Sequence, residues 1–191
     1  MKQVNRLARG AARILEVVHW SGAAAAFAVL IVSIVARGWL CTALTPLAPK
    51  LSDGLSVYGF SLLVTQADGA ISPLAITLFS LTAVLLFALM AMVFRNVSLI
   101  FQTARGKTWF AKGSTPFQGD ITRMVREMGI FYLGIPVLGF LMSILCRLLL
   151  GPEGAEVSVN LQGFVTGVLL LCLSQVFAYG TRLQNDVDGL L

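Results

Sequence analysis

Glu16 and His19 stand three residues apart in "ILEVVHWSG", where a long apolar run begins, and together they could exchange a proton. Positions i and i+3 of a helix share one face. Ionisable groups inside a bilayer are costly, so each is a candidate for function. The two form a candidate proton-responsive pair, weighed against a position at headgroup level beside Trp20, an aromatic suited to that depth. The interfacial reading is favoured. Arg147 stands three residues before the outer end of its apolar run and can snorkel outward. Ser174 and Gln175 add only polarity to theirs, which argues against a pump carrying acids at mid-membrane.

Catalytic constellations are missing. A single histidine excludes bis-histidine haem ligation within one subunit. There is no HExxH, no GxSxG, no phosphate-cradling glycine loop and no cysteine metal cluster. Cys41, Cys146 and Cys172 lack CxxC spacing and read as small buried hydrophobes. No catalytic residue, cofactor or metal is expected, and the chain reads as non-enzymatic.

The elements that would position any site follow from composition. Of 191 residues, 57% are apolar and 12% charged, whereas soluble domains carry roughly a quarter charged. Four stretches reach the approximately 20 apolar residues that a bilayer core requires: about 14–36, 74–94, 129–150 and 163–180. The first resembles a signal peptide in its basic flank, but it is too long and runs past any small-residue cleavage point, so an uncleaved helix is expected. The reading is an all-α membrane protein, a four-helix transmembrane bundle in one domain spanning residues 1–191.

Charge gives the orientation. Lys2, Arg6, Arg9 and Arg13 precede the first span, Arg95, Arg105, Lys107, Lys112, Arg123 and Arg126 lie between the second and third, and Arg182 follows the fourth. Only Arg37, Lys50 and Arg147 fall opposite. Positive-inside asymmetry then places both termini and the 95–128 connection in the cytoplasm. The net charge of +5 is thereby explained without nucleic acid.

The external segment 37–73 favours strand over Ser56–Thr65, before a turn at Ala67-Asp68-Gly69. Val157 and Val159 alternate with polar residues in the second external loop, 151–162. A small extracytoplasmic β cap leaning on the helix ends is expected. Gly22, Ala23–Ala26, Gly134, Gly139 and the Gly163/Gly167 pair supply small residues for helix contact, and Pro136 is a candidate kink.

On the cytoplasmic side, Gly106 should stop the second helix, Thr115 and Pro116 should start the third, and Ile121, Met124, Val125 and Met128 recur at helical spacing. Asp120, Arg123, Arg126 and Glu127 take the other side. In the tail, 181–191, Val176, Gly180, Leu183 and Val187 extend one apolar stripe, with Gln184, Asn185, Asp186 and Asp188 around it. Tail acids are expected to pair with Arg123 or Arg126, or to meet a partner.

Two of these segments resemble a family. "GSTPFQGDITRMVREMG" is similar to the bacterial membrane proteins of the domain of unknown function 2975, which carry a Gly-x-x-Phe turn and then a basic helix ending in Gly about a dozen residues on. Phe117 and Gly129 match that spacing. Gly180, Leu183, Gln184, Asp186 and Asp188 match the family's closing pattern, while the Trp109 stretch before the turn departs from it. The resemblance implies no known activity, and it implies a genomic neighbour of the helix-turn-helix class as partner. The expected function is thus an inner-membrane protein whose cytoplasmic extensions bind or regulate a partner. Its candidate surface is Phe117, Asp120, Arg123, Arg126, Glu127, Arg182, Gln184, Asp186 and Asp188. The alternative is a small transport or immunity protein acting on a membrane-active or small-molecule ligand.

Overall fold

A computed structural model describes residues 2–66, 69–109, 117–152 and 160–188, with side chains of 2–5 and 188 excepted. Among them lie α1 (Lys2–Val35), α2 (Arg37–Leu44), a 3-10 turn (Thr45–Leu47) and α3 (Ala48–Leu51). A hairpin of β1 (Leu55–Val57) and β2 (Phe60–Leu62) follows, then α4 (Pro73–Thr103), α5 (Gly119–Leu150) and α6 (Leu161–Asp188). The helices α1, α4, α5 and α6 are long and apolar enough to cross a membrane. Ile14, Val17, Phe27 and Ile34 of α1, and Leu148 and Leu149 of α5, are more than half exposed. Such faces suit lipid better than water.

The contacts divide into two compact units. Unit 1 holds residues 1–19, 89–134 and 162–191, so it takes a segment of each long helix. In it α5 and α6 run antiparallel and interlock: Leu171 lies on Gly129, and Leu133 lies on Gly167. An added Cβ on Gly167 would stand 2.6 Å from Leu133 Cγ and 3.0 Å from its backbone nitrogen. The GxxxG glycine Gly167 therefore serves a contact within the chain. Ile121, Met124 and Val125 are buried as their spacing predicts, and α4 ends at Thr103 with Gly106 at φ 65°.

The tail stripe is a correction. Val176, Leu183 and Val187 are exposed, whereas Gly180 of the same stripe lies under Phe117, and α6 packs through Gly167, Leu171, Ser174, Gly180 and Thr181. Within the apolar run both faces of this helix are apolar, so periodicity alone does not say which one meets protein. The same geometry turns Cys172 outward; Cys146 is buried and Cys41 half-buried, so the cysteines are not uniformly core residues.

Unit 2 holds residues 20–88 and 135–161: segments of α1, α4 and α5, the 37–72 excursion, and only the first residue of α6. On α5, a Cβ added at Gly139 would stand 3.8 Å from Phe60 Cβ. The hairpin occupies that side. Its strands pair Leu55 with Leu62 and Val57 with Phe60 around Tyr58 (φ 49°) and Gly59 (φ 85°), a two-residue turn of the type whose twist suits paired strands. Phe60, Leu62 and Val64 are almost fully buried. The Phe60 ring stacks on Phe79 at 6.1 Å, and Tyr58 meets Phe87 edge-on at 5.9 Å. At 1.5 Å per residue those partners lie about 9 and 21 Å along α4 from its start.

The expected cap over helix ends is therefore corrected to a hairpin packed along helix sides. Its strand partner is in the same segment, and residues 157 and 159 lie outside the described ones, as do Thr115 and Pro116. Asn160 Nδ2 donates to the Tyr58 carbonyl at 3.1 Å, which fixes the tip. Elsewhere in unit 2, Gly22 faces Phe87, and the Ser33 and Thr77 hydroxyls meet at 3.0 Å, joining α1 to α4. The Arg37–Leu51 helical turns were not anticipated.

Gly167→Ala should lower stability by about 1–3 kcal/mol, because the clash includes backbone and the helices must separate. Gly10→Ala, whose Cβ meets nothing within 4 Å, should raise it by about 0.5–1 kcal/mol through helix propensity. Unfolding in detergent followed by circular dichroism measures both, and equal effects would count against the interlocked contact.

Candidate functional site

The helical extensions of unit 1 carry the charged residues that the sequence marks. A cavity of about 240 Å³ is lined by Asn96, Leu99, Trp109, Asp120, Arg123, Met124 and Glu127. Arg123 Nε donates to Glu127 Oε1 at 3.0 Å, one helical turn away. Buried Asn96 reaches across from α4, its Nδ2 donating to Glu127 Oε2 at 3.4 Å. Glu127 is thus gripped from two sides, and its negative charge is offset locally. The arginine is largely exposed, so the ion pair contributes no more than about 1 kcal/mol. Its effect is to orient the Arg123 fork in a cavity that Trp109, 96% exposed, also lines. Asp120 sits in the first turn of α5, where the helix dipole favours an acid.

The tail joins this face through packing rather than charge. The Phe117 ring covers Gly180, so close that a Cβ there would lie 2.5 Å from Phe117 Cδ1, and it tilts against Phe177 at 6.1 Å. The Thr122 and Thr181 hydroxyls are 3.5 Å apart. Among the described residues Arg123 takes Glu127 as partner; Arg126, Arg182 and Asp186 are exposed, Gln184 is half-buried, and the Asp188 side chain lies outside the described residues. Asp120, Arg123 and Glu127 are therefore brought together, whereas Arg126, Arg182 and Asp186 do not line the cavity. Asn96 and Trp109 were missed as site residues; a lone asparagine just past an apolar span was the available signal.

Of the proton-responsive candidates, His19 is buried, its Nδ1 lying 2.6 Å from the Leu15 carbonyl, to which it donates, and its ring 4.9 Å from Phe94. The imidazole is turned into the α1–α4 contact, and Glu16 is half-buried. Ser174 is buried and donates to the Leu171 carbonyl at 2.6 Å, while Gln175 faces outward, so the two polar groups of α6 do not converge.

These features define a helical protein of membrane-spanning dimensions with an organised polar surface on one unit. Among known proteins, no family model, curated protein or solved structure matches the chain.

Gly180→Val must displace the Phe117 ring and should loosen the tail without unfolding the spans. Limited trypsin digestion in detergent should then cut after Arg182 several-fold faster than in the parent. An unchanged rate would mean that the Phe117–Gly180 contact does not hold the tail.

Proposed function

We propose that the chain is a bacterial inner-membrane protein, crossing four times with both termini and the 95–128 connection in the cytoplasm, and that it docks a cytosolic protein there without catalysing a reaction. The cation distribution supports the orientation: the described Lys and Arg residues assigned to the cytoplasm all belong to unit 1, and Arg37, Lys50 and Arg147 belong to unit 2. The observation that carries the docking reading is the exposed Trp109 beside the Asn96–Glu127–Arg123 network. Binding hot spots are enriched in tryptophan and arginine, which become desolvated when the partner covers them. Phe117, 41% exposed while anchored on Gly180, extends the same face. If the resemblance to the domain of unknown function 2975 family holds, the partner is a helix-turn-helix transcription regulator.

Reporter fusions at residue 110 and at the carboxyl end should both report the cytoplasm; opposite sides would overturn the orientation. Capture in mild detergent should then recover a partner with the full chain and lose it with Trp109→Ala or with truncation after Gly180. Identical recovery from all three would refute the docking face.

A further inference from the structure

A second cavity in unit 1, of about 400 Å³, is lined by Arg6, Arg9, Gly10 and Arg13 of α1 and by Ser98 and Gln102 of α4. Offsets of three and seven residues put the three guanidiniums on one helix face, and Gly10 lies between them. Among the described residues, no acid lines the cavity and none of the three arginines is in an ion pair. Three like charges gathered without a counter-ion repel one another, an arrangement that an anion would relieve. Arginine is suited to this, since its planar fork binds phosphate oxygens bidentately. Across the cleft, Gln102 Nε2 donates to the carbonyl and hydroxyl of Ser98 at 3.3 and 3.4 Å. The Ser98 hydroxyl hydrogen is left to donate in turn.

Surroundings narrow the ligand. Directly beyond Arg13, Ile14 and Val17 are outward and apolar, and Leu7 is 74% exposed on the same helix. A cationic cleft beside an apolar flank matches a molecule with a phosphate at one end. We infer that the Arg6–Arg9–Arg13 cleft binds a phosphate group, through paired contacts from the guanidiniums and a contact from Ser98. An anionic phospholipid headgroup and a soluble phosphate compound share that chemistry. Basic pockets among membrane helices are known to take lipid headgroups.

The test uses the full-length chain in a non-ionic detergent, read by native mass spectrometry. One arm titrates cardiolipin against phosphatidylcholine, and the other titrates inorganic pyrophosphate with no lipid added. Retention of cardiolipin over phosphatidylcholine identifies a lipid site; binding of pyrophosphate alone identifies a soluble ligand. In either case Arg6→Gln/Arg9→Gln/Arg13→Gln should weaken binding by about tenfold or more. Arg105→Gln/Arg126→Gln/Arg182→Gln, which removes equal charge elsewhere, should change it by less than about threefold. Gly10→Trp keeps every charge but fills the cleft and should also abolish binding. If the triple variant fails to fold, Arg9→Gln and Gly10→Trp carry the test. No binding in either arm, equal loss from both triples, or full binding by Gly10→Trp overturns the inference. Trp109→Ala should leave binding intact, which separates this site from the docking face.

Discussion

The reciprocal contact between α5 and α6 sets the geometry of unit 1. Leu133 on Gly167 and Leu171 on Gly129 are two halves of one interlock, each leucine seated where the opposite helix has no side chain. In lipid there is little hydrophobic drive between helices, because the surroundings are as apolar as the contact; close packing at small residues must supply the attraction. The interlock also fixes register, so Phe117 arrives over Gly180 and Thr122 beside Thr181. The polar face around Asn96, Arg123 and Glu127 is built on the helix that this contact holds.

In unit 2, to which α6 contributes only its first residue, the hairpin packs against α4 and α5. Exposed strand edges are poorly tolerated away from water, since every unpaired backbone group is costly there. β1 and β2 satisfy one another, and the Tyr58 carbonyl at the turn receives Asn160. Phe60, Leu62 and Val64 turn inward from this segment and join the buried core of unit 2.

Much of the architecture was legible because its signals are local. Long apolar runs gave the long helices, Gly106 marked the end of α4, and Ile121, Met124 and Val125 gave the buried side of α5. The side on which α6 packs was not legible, since lipid and protein core favour the same residues at Val176 and Leu171 alike. Hairpin depth was hidden for another reason: it depends on Phe79, Phe87 and Asn160, all distant in sequence. Phe117, Gly129 and Gly180 were read as family motif and candidate surface. Two of them, Gly129 and Gly180, are glycines because a leucine and a phenylalanine lie on them. Their motif character is explained by packing, which weakens any claim that the spacing itself encodes a partner.

Unit 1 handles charge in two ways. At Glu127 the acid is met by Arg123 and Asn96, so the local charge is balanced and the neighbouring aromatic can enter a protein contact without stranding an ion. At Arg6, Arg9 and Arg13 the charge is left unbalanced, which would be a poor choice for an apolar protein interface but a good one for an anion. The polar positions of α4 divide accordingly: Asn96 turns to α5, while Ser98 and Gln102 turn to α1. A helix advances 100° per residue, so alternate recognition surfaces on its two flanks need only a shift of two positions. That single stretch of α4, just past an apolar span and still held between its neighbours, allows one unit to present an aromatic face with a paired glutamate and a cationic cleft on separate flanks.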